Sequence, residues 1–168
     1  MDDLVIVDCQ YDFIDGTLAC GHSHEAVKEL VDFMNSHKVR ALYTSDWHSE
    51  TNGSFKVNGG IWPIHCVADT KGAELDPAFT KDVKDPGNRP SSENRFLKGR
   101  NDRVEEYSAF NGKNGAGKTL GGSGFFPCVR GRHCVGVLCE GNGAVPFEVR
   151  TDGDTPGEWA GLCVGSGP

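Results

Sequence analysis

Asp46-Trp47-His48, followed by Trp62-Pro63-Ile64-His65-Cys66, brings one carboxylate and two imidazoles into a short stretch of chain. Asp46 and His48 are two positions apart, so in extended backbone their side chains point to the same side. His65 returns from a loop bounded by Gly59, Gly60 and Pro63. One Asp with two His is a donor set for one divalent ion, zinc, iron or manganese, and leaves coordination positions for water or substrate. The competing reading is a surface aspartate and two unrelated loop histidines.

The elements that must position these groups can be read outward from them. Leu4-Val5-Ile6-Val7 is a continuous apolar run ending at Asp8. It predicts a buried parallel strand with a polar residue at its carboxyl end, where ligands sit in open α/β sheets. Residues 23–37 predict a helix, with Val27, Leu30, Val31 and Met34 on one face and Ser23 as N-cap. Val39 to Thr44 predicts a second strand that ends at Ser45-Asp46. Strand, helix and strand at this spacing form a βαβ unit and a parallel sheet. Asp8 and Asp46 therefore emerge at the same sheet edge. The loop over residues 49–66 is long, and its Phe55 and Trp62 favour a functional one.

Composition sets outer bounds. The chain has 168 residues, enough for one domain, here residues 1–120, with an irregular Gly-rich tail over 121–168. A net charge of −7 argues against a nucleic-acid partner. No apolar run reaches the length of a membrane span. Asp2 and Asp3 lead into a strand-like run, unlike a signal peptide. Seven cysteines, an odd number at irregular spacing, favour free thiols in a reducing, cytoplasmic compartment.

Several stretches together resemble the nicotinamidase/pyrazinamidase branch of the isochorismatase-like hydrolases. They are Val7-Asp8-Cys9-Gln10-Tyr11-Asp12-Phe13, Thr44-Ser45-Asp46-Trp47-His48 with Ser54-Phe55, and Trp62-Pro63-Ile64-His65-Cys66-Val67 with Gly72-Ala73. Lys98-Gly99 and Tyr107-Ser108-Ala109-Phe110 complete the set. The resemblance covers about residues 4–112 and implies a three-layer α/β sandwich with a central parallel sheet. It implies hydrolysis of a small-molecule amide, nicotinamide to nicotinate and ammonia, in NAD salvage. It also implies roles: Asp8 as general base, Lys98 beside it, and Asp46, His48 and His65 on one divalent metal ion. Phe13 and Trp62 would flank the pyridine ring. Asn52 stands where many members carry a further histidine.

The family pattern stops after about Leu120. Gly121-Gly122-Ser123-Gly124 opens a stretch without helical period, which fits an incomplete C-terminus or a tail translated out of frame. Cys134 and Cys139 are the two cysteines there that could be offered as nucleophile, and neither precedes a plausible helix. Two further readings follow. One is a catalytically dead metal- or ligand-binding remnant of the family. The other is nucleotide binding through Gly112-Lys-Asn-Gly-Ala-Gly117-Lys118-Thr119, which fits the phosphate-loop pattern but has no buried strand before it and no helix-former after it.

Overall fold

The computed structural model describes residues 3–123 and, by backbone alone, residues 2, 133–136, 139–140 and 143–144. Strand β1 (Asp2–Val7) pairs in parallel with β2 (Val39–Asp46), from Asp2 opposite Val39 to Ile6 opposite Tyr43. Between them lie a short helix α1 (Tyr11–Ile14) and the long helix α2 (Ser23–Ser36). A third short helix, α3 (Ala78–Lys81), precedes β3 (Arg95–Lys98), which pairs in parallel with the end of β2. The sheet order is β3-β2-β1-β4, with every pairing parallel.

Strand alternation sorts the core. Leu4, Ile6, Ala41 and Tyr43 pack against Val27, Leu30, Val31 and Met34 of α2, with Phe79 and Val83 alongside. Val5, Leu42, Phe96 and Leu120 form a smaller cluster. This is the two-residue period of a strand meeting the helical stripe of α2. Ser23 is not the helix cap: His22 takes that position at φ 60°, and the Ser23 hydroxyl donates to the Ile14 carbonyl at 3.3 Å. The hydroxyl thus ties α2 to α1 rather than to its own amides.

Two strands of the four-stranded sheet went unforeseen. Arg95–Lys98 is too short to stand out from its polar surroundings, yet Phe96 and Lys98 are buried. Strand β4 (His133–Gly136) falls in the stretch expected to be irregular, and pairs with β1 from Leu4 opposite His133 to Val7 opposite Gly136. The apolar edge of β1 needs a second partner, and this segment meets it. Cys139–Glu140 and Gly143–Ala144 form a small antiparallel pair. The rest of the 121–168 tail beyond Ser123, including any frame change, lies outside the described residues. Cys20 is disulfide-bonded, against the expectation of free thiols.

Residues 112–119 fold back on themselves. The Gly115 amide donates to Ser92 O, Gly117 to Asn114 O, and Ala116 and Lys118 to Asn114 Oδ1. Those amides are the ones a phosphate would need. Only a three-residue helical turn follows, Gly121–Ser123. The structure therefore gives the nucleotide-binding reading no support. Lys113 is paired both ways with Leu97 of β3, N to O at 3.0 and 3.1 Å. No helix among the described residues is long and apolar enough to cross a membrane.

Candidate metal centre and active site

Three neighbouring strands deliver Asp8, Asp46 and Lys98 to one edge of the sheet, as the βαβ reading required for the two aspartates. Lys98 is 5% exposed, so it is no solvated surface lysine. Its ammonium lies 3.0 Å from Asp8 Oδ2 and donates to Asp46 Oδ1. The other Asp8 oxygen accepts from the Thr44 hydroxyl at 2.7 Å. Asp8 sits at φ 51°, an uncommon backbone conformation for a residue with a side chain.

Burial and the neighbouring Asp46 charge push the Asp8 carboxyl up, against the opposing pull of Lys98. Burial acts the same way on Asp46, but the nearby His48 imidazole and the Lys98 ammonium outweigh it and hold that carboxyl at about 2. Burial disfavours the Lys98 ammonium, yet the two carboxylates raise its pKa above the ordinary lysine value. Two carboxylates thus share one cation, which leaves room for further positive charge.

That charge has a place to sit. Asp46 Oδ2 is 3.7 Å from His48 Nε2 and 3.8 Å from His65 Nε2, and all three residues are buried. Two donors each ~2.1 Å from a tetrahedral zinc stand ~3.4 Å apart, so this spacing is near what one ion needs. The remaining ring nitrogens are committed. His48 Nδ1 is 2.9 Å from Gly99 O, and His65 Nδ1 is 2.8 Å from Pro63 O. A carbonyl only accepts, so each Nδ1 carries hydrogen and each Nε2 presents a lone pair toward Asp46. Burial lowers the His65 pKa below its ordinary value, which favours the neutral, ligating form. The donor set fits a divalent ion, and the reading of scattered surface groups does not hold.

Residues without an assigned role in the sequence build the frame. Gln10, fully buried, accepts from Asp46 N at 2.7 Å and donates to Asp46 O at 2.8 Å, clamping the backbone of that residue on both sides of its Cα. His48 is zipped to the 65–68 segment, its amide on Cys66 O and its carbonyl on the Ala68 amide. Cys66 takes φ 45°, and its amide donates to Asp12 Oδ2 at 2.7 Å, which holds the bend after His65. Asn52 is spent on Gly99 O and on the Ser54 amide, so it supports the site rather than the ion. Thr44 was detectable: it falls two residues before Asp46 in an extended strand, on the same side.

Aromatic rings surround the imidazoles. Phe13 from α1 meets His65 edge-on at 5.7 Å, Trp62 at 6.4 Å and Phe55 at 5.4 Å. The structure so brings Phe13 and Trp62 to the same histidine. Trp62 is half-buried, and its Nε1 donates to Glu105 at 2.5 Å. The free thiol of Cys66 is near but unsuited to attack: burial and the charges of Asp46 and Asp8 push it well above the ordinary thiol range.

No family model matches the chain. Individual proteins do. Escherichia coli nicotinamidase is 30% identical over 126 residues, covering 64% of this chain and 55% of that protein. The chain spans about half the length of the curated relatives it matches. The Pyrococcus horikoshii pyrazinamidase in complex with zinc superposes with a TM-score of 0.59 at 28% identity, over 82% of this chain and 72% of the other. The PnC1 protein of L. infantum, solved with nicotinate, gives 0.61 at 27% identity over 82% and 67%. The parallel sheet with helices is an α/β fold of the kind these solved structures have. The chain's sequence and fold are both similar to those of nicotinamidases and pyrazinamidases.

Proposed function

We propose that this chain is built for hydrolysis of a nicotinamide-like amide to the acid and ammonia, a reaction that would serve NAD salvage in the cytoplasm. The observation that carries the reading is the continuity of two clusters. The Asp8–Lys98–Asp46 ion network shares Asp46 with the Asp46, His48 and His65 donor triangle. Asp8, with its raised pKa, is suited to take a proton from an attacking nucleophile and later from water. Lys98 steadies the anions beside it. Phe13 and Trp62 would offer apolar faces to a flat heteroaromatic ring. Asp46, His48 and His65 would hold one divalent ion, zinc, iron or manganese. When bound it supplies a Lewis acid for a ring nitrogen and for water. The relatives solved with zinc and with nicotinate are consistent with both halves of this reading.

Ammonia release from nicotinamide by the full chain, with zinc, iron or manganese added, tests it. Asp8→Asn should lower turnover at least ~100-fold while zinc binding persists. If the wild-type chain binds zinc and releases no ammonia, the second reading stands.

That second reading, a catalytically silent metal- or ligand-binding relative, is favoured by the register of β4. Cys134 pairs opposite Val5, and Gly136 opposite Val7. The position level with Asp8 thus follows Gly136, and Cys134 stands three residues, ~10 Å, short of it. Cys139 lies beyond the strand end. If Cys134→Ala and Cys139→Ala each leave turnover unchanged, neither thiol is the nucleophile.

A further inference from the structure

Gly99 follows Lys98 at the tip of β3, buried and at φ 70°. Its carbonyl receives two hydrogen bonds, from His48 Nδ1 at 2.9 Å and from Asn52 Nδ2 at 3.1 Å. Its amide donates to Glu106 Oε2 at 2.8 Å. Gly99 is therefore held on both sides of its Cα, by a carboxylate on the N–H of the peptide before it and by an imidazole and an amide on the oxygen of the peptide after it. A charged acceptor makes the stronger bond. By anchoring the Gly99 amide, Glu106 fixes where the carbonyl that sets the His48 tautomer stands. The adjacent Glu105 points elsewhere, to Trp62 Nε1 at 2.5 Å.

We propose that Glu106 is a positioning residue for the metal centre, acting through the placement of the Gly99 backbone to hold His48 Nε2 toward Asp46. The inference deepens the metal reading and rests on it. Outer-shell partners of metal-bound histidines fix the ring and raise its basicity, and losing one costs about 10- to 100-fold in affinity. Glu105 is the internal control, since it is an exposed neighbour of the same charge with no bond to Gly99.

The test is zinc titration of the full-length chain against a chromophoric chelator near neutral pH, with cobalt substitution reporting ligand-field bands. Glu106→Ala should weaken zinc about 10- to 100-fold and shift the cobalt bands. Glu106→Gln keeps an acceptor oxygen at the same reach and should retain wild-type affinity and spectrum. Glu105→Ala should leave both unchanged. If Glu106→Ala does not fold, Glu106→Asp, one methylene too short for Gly99, takes its place with the same expectation. Wild-type affinity and bands in the folded variant, or equal weakening by Glu105→Ala, overturn the proposal alone. A wild-type chain that binds no zinc overturns the metal reading with it.

Discussion

Lys98 stands between Asp8 and Asp46, 3.0 Å from an oxygen of the first and hydrogen-bonded to the second. The residue proposed as base and a residue proposed as ligand share one ammonium. Replacing it by methionine leaves two buried carboxylates with no cation. Lys98→Met should cost about 3 kcal/mol, the scale of a broken buried ion pair. Urea unfolding of the chelated protein measures it. Zinc should restore part of the loss, because an ion bound only by the folded state adds stability. An unchanged midpoint in the chelated variant would rule out this account of the network.

Gly99 has no room for a side chain. A Cβ there would lie 2.3 Å from His48 Cε1 and 2.6 Å from Nδ1, at a φ of 70°. Gly99→Ala should weaken zinc at least ~10-fold by turning the imidazole. Gly117 has φ 76° but open space around it. Gly117→Ala should cost only about 1 kcal/mol of backbone strain and leave zinc affinity alone. Isothermal titration of the two variants side by side separates them.

Burial lowers the His65 pKa in the fold relative to 6.5. As pH falls through 6.5, the unfolded chain binds that proton before the folded chain does. Folding stability from this group is therefore full above pH 6.5 and declines as pH falls toward the lowered folded value. The melting temperature of chelated wild type should drop between pH 7 and 5.5 more steeply than that of His65→Gln. Parallel slopes would show that His65 is not buried as described.

Trp62→Ala removes a ring beside His65 without touching the donor atoms. KM for nicotinamide should rise about tenfold, near 1.4 kcal/mol, the value of one aromatic contact. Zinc affinity should stay at the wild-type level. A change in zinc affinity with no change in KM would assign Trp62 to the ion instead.

Much of this arrangement was legible in the chain itself. The apolar run before Asp8, the helical stripe of α2 and the strand before Asp46 force a parallel pair, and a parallel pair puts both aspartates at one edge. Asp46 and His48 share a side for the same reason. The frame was not legible, because it runs through backbone groups. Gly99 acts through its carbonyl, Gln10 through a peptide 36 residues away, and Glu106 through an amide. No residue type signals such a bond before the loops are placed. Strand β3 was hidden by its length, four residues with only alternate ones buried.

Lys113 has a further effect at the margin of the sheet. By exchanging both of its peptide groups with Leu97, it stoppers the outer rim of β3. An incoming strand from another molecule finds those donors and acceptors already occupied at that point. Edge-to-edge pairing at Leu97 would therefore first have to displace Lys113.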